Sequence, residues 1–323
     1  FSPLQLNSPR GPLTLPNRIV VAPMCQYACH LDGKANDWHL MHWANLLNSG
    51  ASVFMIEATA VTAQGRITPN CLGLWDDATS NALADTLARA RKLAPPTAVC
   101  LQIAHAGRKA SSAQPWNGGM LIRKADGGWE PVAPSPINLL PGEDPPHEID
   151  AAGLIDIEKA FVKTAERAQA MGLEMLELHG AHGYLLHEFL SPIANQRNDN
   201  YGGNFANRAR FPLQVFNAVR KVFNGVLGMR LSASDWIEGG WDLEQTTDFT
   251  KLLKQAGADF VHVSSGGISP QQKISIGPGY QVHFAKHIKQ QTGLPTIAVG
   301  LITEPQQAED VLQAGDADMI ALG

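Results

Sequence analysis

Short apolar runs alternate with longer amphipathic stretches along the whole chain, and this alternation limits the fold more than any other feature. Eight runs read as strands, at residues 18–24, 52–61, 97–105, 175–180, 228–234, 260–266, 296–300 and 318–323. Most are continuously apolar, as expected for parallel strands covered by helices. Between them lie helical patterns. In 156–171 the apolar residues Ile157, Phe161, Ala165, Ala168 and Met171 recur at three- and four-residue steps, and Gly172 follows as a stop. Asp242 with Gln245 reads as a capping pair opening a helix through Ala256, with Gly257 just beyond it. In 206–223 Phe211, Val215, Val219 and Val222 share one face, and Pro212 is expected in the first turn, because inside a helix it costs roughly 3 kcal/mol or more.

A weak internal repeat follows the same grammar. Asn48-Ser49-Gly50-Ala51, Ala170-Met171-Gly172-Leu173, Gln255-Ala256-Gly257-Ala258 and Gln313-Ala314-Gly315-Asp316 each close a helix just before an apolar strand. Eight βα units predict an α/β fold, a single-domain (β/α)8 TIM barrel spanning 1–323. Two smaller doubly wound domains are the alternative, but no Gly/Ser or charged linker divides the chain. Residues 106–150 break the rhythm with seven prolines, among them Pro115, Pro131 and Pro134. This segment follows the third strand and reads as a long loop or lid over the barrel mouth.

Composition narrows the function classes. The apolar fraction is 44% and the charged fraction 17%, too apolar for a disordered chain. Lys+Arg 25 against Asp+Glu 30 leaves a net charge of −5, which offers no general attraction for nucleic acid or anionic lipid. No apolar run reaches the ~18 residues of a membrane span. Four scattered cysteines (Cys25, Cys29, Cys71, Cys100) form neither a disulfide framework nor a zinc motif, and the expectation is a reduced, cytoplasmic protein. The chain opens on Phe1 and stops inside an apolar run, so a final helix and a C-terminal tail are expected beyond Gly323.

In a barrel of this kind, chemistry sits at the C-terminal ends of the strands. Those ends carry Ala22-Pro23-Met24-Cys25 with Tyr27, then Glu57-Ala58, Gln102 and His105, His179-Gly180-Ala181-His182-Gly183-Tyr184, Arg230, and Gly300. Two imidazoles can donate hydrogen bonds to a carbonyl or phenolate oxygen, and a phenol can deliver a proton. The same residues could instead be satisfied by backbone. A metal reading lacks a third ligand set, so no metal is expected. Arg230 within an apolar strand demands an anion, supplied either by a ligand or by Glu57 or Glu177. Gln102 could meet a flat heterocycle or bridge strands. Cys25 reads as packing, since nothing nearby in sequence activates its thiol.

The run from His179 through Glu188-Phe189-Leu190-Ser191-Pro192, continuing through Asn195-Gln196-Arg197 to Tyr201-Gly202-Gly203 and Asn207-Arg208, resembles the signature of the old yellow enzyme family. Ala22-Pro23-Met24-Cys25-Gln26-Tyr27 is similar to its bacterial branch of xenobiotic reductases and thermophilic-like ene-reductases, and Ile103-Ala104-His105-Ala106-Gly107-Arg108-Lys109-Ala110 and Leu231-Ser232-Ala233-Ser234-Asp235 agree. The resemblance covers nearly the whole chain. It implies tightly but non-covalently bound FMN, with NADPH or NADH as hydride donor, and reduction of the C=C bond of α,β-unsaturated carbonyls, nitro compounds and quinones. By resemblance, Ala22, Pro23, Met24, Cys25 and Ala58 would line the isoalloxazine, Gln102 and Arg230 would meet its pyrimidine side, and Gly300 and Gly323 would lie on the phosphate side. His179 and His182 would hold the substrate carbonyl, Tyr184 would give the proton, Tyr27 would touch substrate, and Cys25 would tune the flavin. The branch also implies a homodimer or homotetramer. A dienoyl-CoA-reductase-like flavoenzyme is disfavoured by the dispersed cysteines, and a barrel lyase by the lack of a strand-end lysine.

Overall fold

The computed structural model describes residues 2–323. Eight strands close a parallel barrel: β3 (Ile19–Val21), β4 (Val53–Ala60), β5 (Ala98–Ala104), β8 (Met175–Gly180), β9 (Val226–Ser232), β10 (Phe260–Ser264), β11 (Thr296–Ala298) and β12 (Met319–Leu322), with β12 paired back onto β3. These are the eight apolar runs read from the sequence. Outside the barrel lie a hairpin the sequence reading missed, β1 (Leu4–Leu6) with β2 (Leu13–Leu15), and the short pair β6 (Val132–Ala133) with β7 (His147–Glu148). The helices are α1 (Asp37–Leu47), α2 (Asp77–Arg91), α3 (Ala151–Ala170), the short α4 (Leu185–Leu190), α5 (Phe205–Val222), α6 (Leu243–Gln255), α7 (Val282–Thr292) and α8 (Pro305–Gln313). None is long and apolar enough to cross a membrane among the described residues.

Two apolar layers hold this together. Leu176 and Leu178, Leu227 and Met229, and Val261 and Val263 point outward against helix residues such as Phe161, Phe216 and Phe249. Met175, Val226, Phe260, Ile297 and Met319 pack with Leu6 and Leu15, so the hairpin plugs the N-terminal end of the barrel. Side chains on a strand alternate between faces. Glu177 and His179 therefore share the inward face of Met175, Gln102 that of Cys100, Arg230 that of Val226, and His262 that of Phe260. The barrel interior is apolar at one end and polar at the other.

Local chemistry fixes the boundaries. Asp150 caps α3 by accepting the Gly153 N–H at 2.8 Å, so this helix starts five residues before the periodicity suggested. Asp242 caps α6 by accepting the Gln245 N–H at 2.9 Å, as read. Gly50, Gly172, Gly257 and Gly315 all take positive φ where their helices end. Pro212 corrects the reading of α5: it lies in the helix interior, because Asn204 caps the chain and starts the helix at Phe205. One lost N–H bond is outweighed there by burial of Phe211, Val215, Phe216 and Val219.

Segment 106–150 carries three 3₁₀ turns and the β6–β7 pair, and is tied to the loops at the C-terminal ends of the strands. Trp129 Nε1 donates to Gln64 O, Arg108 Nη1 and Nη2 to Ile137 O and Ile268 O, and Arg197 Nη1 to Pro134 O and Ile149 O.

Truncating Phe161, fully buried on α3, should cost about 3–5 kcal/mol. Truncating Ile155, exposed on the same helix, should change stability by less than about 0.5 kcal/mol. Urea unfolding of Phe161→Ala and Ile155→Ala measures both.

Candidate active site

The rim at the C-terminal ends of the strands gathers the polar residues singled out by sequence. His179 stands on β8, and the chain then turns sharply through Ala181-His182-Gly183-Tyr184 into α4. His182 (φ +60°) and Gly183 (φ +73°) are both left-handed. Gly183 is required here, since a Cβ would lie 2.2 Å from Gly267 O. The turn is fastened on several sides. Tyr184 N–H donates to Ala181 O, His182 N–H to Ser232 Oγ at 2.9 Å, and Gly183 N–H to His187 Nδ1 at 2.9 Å. Lys109 Nζ donates to His182 O and Gly267 O and lies 5.6 Å from the Tyr184 ring centroid.

The result is a cluster of three rings. His179 meets His182 edge-on with centroids 5.1 Å apart, and meets Tyr184 edge-on at 4.9 Å. His182 Nε2 lies 2.7 Å from Ser264 Oγ. Ala181 N–H donates to His179 Nδ1, which leaves Nε2 as that ring's N–H. Burial first, then the Arg230 charge, pushes both histidines well below the usual imidazole range, so each is neutral at pH 7. Burial also pushes the Tyr184 phenol well above its usual range, so it keeps its proton. The cluster presents neutral N–H and O–H donors to whatever occupies the rim.

Facing them is the turn after β3. Ala22 N–H donates to Leu322 O at 2.7 Å, Gln26 N–H donates to Glu57 Oε2 at 2.9 Å, and Tyr27 takes φ +51°. Desolvation of the Cys25 sulfur raises its pKa well above the ordinary thiol value; it is a thiol here, not a nucleophilic thiolate. Trp116, from segment 106–150, meets the Tyr27 ring edge-on at 5.7 Å. A Cβ on Gly323 would touch Met24 Sδ, which places the chain's last residue beside the same turn. Gly300 (φ +118°) lies farther round, against Tyr280 and Gln281.

Arg230 decides what the site can hold. It is opposite His179 in one ladder and opposite His262 in the next, and is 8% exposed. Neither Glu57 nor Glu177 pairs with it: among the described residues the guanidinium makes no ion pair within 4 Å, and its Nε is buried with no hydrogen-bond partner. Glu177 is instead engaged by Gln102 Nε2 at 2.7 Å and His262 Nδ1 at 3.0 Å. No three His, Cys, Asp or Glu side chains converge as a metal-ligand set among the described residues.

Sequence reasoning left Ser264, His262 and Lys109 without roles. His262 and Ser264 are the polar residues in the apolar strand Phe-Val-His-Val-Ser, and that interruption was the available signal.

A model of the NADH:flavin oxidoreductase / NADH oxidase family matches residues 1–323. NADPH dehydrogenase of Bacillus licheniformis is 42% identical over 321 residues, covering 99% of this chain and 88% of that protein. NADPH dehydrogenase of Geobacillus thermodenitrificans is 41% identical over 324 residues, covering 100% and 89%. Among solved structures, morphinone reductase superposes with a TM-score of 0.79 at 26% identity, covering 99% of this chain and 84% of that one. A 2-naphthoyl-CoA reductase shares the fold with a TM-score of 0.86 at 22% identity, this chain spanning 49% of it.

Buried ionisable groups predict a pH dependence of stability. Glu57 and Glu188 are pushed up by burial to about 8. Between about pH 4.5 and 8 the unfolded chain releases these protons while the folded chain holds them, so stability is lost as pH rises. His39 and His105, pushed down by burial to about 4, act oppositely, but only between about pH 4 and 6.5. Stability should therefore fall from pH 6.5 to 8 by about 2 kcal/mol per carboxyl. Urea midpoints across this range should show the fall, and Glu57→Gln should remove about half of it.

Proposed function

The chain belongs to the NADH:flavin oxidoreductase / NADH oxidase family, and from that premise we propose that it reduces the activated C=C bond of α,β-unsaturated carbonyl compounds, with nitro compounds and quinones as further acceptors. It is an NAD(P)H-dependent flavin oxidoreductase of the old yellow enzyme type, and its cofactor is FMN. FMN, when bound, supplies the two-electron chemistry by taking hydride from NAD(P)H and passing hydride to the acceptor.

The residues present fit that group. The Arg230 guanidinium, with no ion pair among the described residues and its Nε unpartnered, supplies the positive charge that an anionic heterocycle requires. With one N–H committed to Glu177, Gln102 keeps its carbonyl and its second N–H, which match the adjacent donor and acceptor of a pyrimidine edge. Ala22, Pro23, Met24, Cys25 and Ala58 offer small or apolar walls on the facing turn and strand, and on this reading Gly300 and Gly323 serve the phosphate side.

The observation that carries the acceptor chemistry is the three-ring cluster. His179 and His182 are neutral, so each offers one N–H to a carbonyl oxygen without placing a full positive charge in the site. Preorganised donors of this kind strengthen as charge develops on the oxygen, each contributing about 3–4 kcal/mol. Tyr184 holds its proton and delivers it to the α-carbon as hydride reaches the β-carbon. Tyr27, edge-on to Trp116 of segment 106–150, bounds the substrate side. The Cys25 sulfur, a neutral thiol, tunes the cofactor by its polarisability.

An anaerobic titration tests this reading. NADPH should bleach the yellow holoenzyme, and cyclohexenone should restore its colour. Tyr184→Phe should bleach at the parental rate while reoxidation by the enone slows at least about 100-fold. Equal loss in both half-reactions contradicts the proton-donor role.

A further inference from the structure

One layer beneath the rim lies a buried polar group that the reaction above does not use. Glu177 is fully buried on the inward face of β8, directly opposite Gln102 on β5 and Gly228 on β9. Because position 228 carries no side chain, nothing on β9 separates Glu177 from β10, and its second oxygen reaches His262 Nδ1 at 3.0 Å. Its first oxygen takes Gln102 Nε2 at 2.7 Å. A side-chain amide nitrogen only donates and its oxygen only accepts, so this contact fixes which way Gln102 faces: Oε1 is turned away from Glu177. An amide flipped the other way would set two acceptors against each other in a dry interior, which is strongly unfavourable. Arg230 sits two residues along β9 from Gly228, and Glu177 exerts the largest acidic influence on it, although the two form no ion pair within 4 Å.

We propose that Glu177 is a positioning residue for the cofactor's pyrimidine edge: from below it locks Gln102 with its carbonyl toward the recess, and its carboxylate offsets the charge of Arg230. This rests on the proposed placement of that edge at Gln102 and Arg230. Two consequences can be separated. The hold on Gln102 sets how tightly FMN binds. The charge sets how easily FMN is reduced, because negative charge developing on the pyrimidine is favoured by Arg230 and opposed by Glu177.

The test measures midpoint potential by dye equilibration and FMN affinity by fluorescence, on holoenzyme variants. Glu177→Gln removes the charge at nearly constant volume and should raise the potential. Arg230→Met should lower it. Glu177→Asp keeps the charge but withdraws it by one methylene; it should leave the potential near the parent's while raising the Kd for FMN about tenfold. If Arg230→Met lowers the potential and Glu177→Gln leaves it unchanged or lowers it, the inference fails while the placement of the pyrimidine edge stands. If neither substitution moves the potential, the placement itself is wrong. Should Glu177→Gln not fold, Glu177→Asp decides: an unchanged Kd overturns the proposal.

Discussion

A guanidinium held at the rim of the barrel, with no counter-ion among the described residues, is the constraint around which the rest of this structure is organised. Taking such a charge out of water costs several kcal/mol after relaxation, and the fold tolerates it only where an anion or a set of acceptors is available. Arg230 has neither in direct contact among the described residues. Its influence is nonetheless visible across the rim. After burial, Arg230 is the largest cause holding His179 and His182 neutral, and it is among the charges acting on Tyr184, His262 and Tyr280. The proposed function accounts for such a residue: on that reading the missing anion arrives with the cofactor.

The architecture separates stability from chemistry along the barrel axis. At the N-terminal end Met175, Val226, Phe260 and Met319 close against Leu6 and Leu15 of the hairpin, and the interior there is dry and apolar. Two residues further along the same strands the inward positions become Glu177, Gly228 and His262, and the rim above carries His179 and Arg230. Strain gathers at that upper end. Tyr27 and His182 both take left-handed backbone conformations that cost non-glycine residues of order 1 kcal/mol, and both belong to turns pinned by partly buried hydrogen bonds, through Glu57 in one case and Ser232 in the other.

Much of this was legible in the sequence, for physical reasons. Parallel strands covered on both faces are mostly apolar, so they stand out as apolar runs broken only by the few inward polar residues, and glycines with positive φ mark the helix ends between them. The three-residue strands of the hairpin carry too little pattern to be seen. Pro212 was misplaced because its local cost was weighed without the burial that the rest of α5 gains. The rim residues were found because the ends of barrel strands are where polar side chains have work to do. The partners of Gln102 and His182 were not found, because Glu177 and Ser264 lie 75 and 82 residues away and meet them only when the barrel closes. Local sequence shows that a buried polar residue needs a partner; closure of the sheet decides which one it gets.

The central claim is that the anion for Arg230 comes from the flavin. A crystal structure of the FMN-loaded protein tests it most directly. The account requires the Arg230 guanidinium to donate to the pyrimidine side of the isoalloxazine, with His179 and His182 facing the open side of the ring. A structure in which Arg230 turns to the carboxylate of Glu177 or Glu57, with the flavin bound elsewhere, would contradict it.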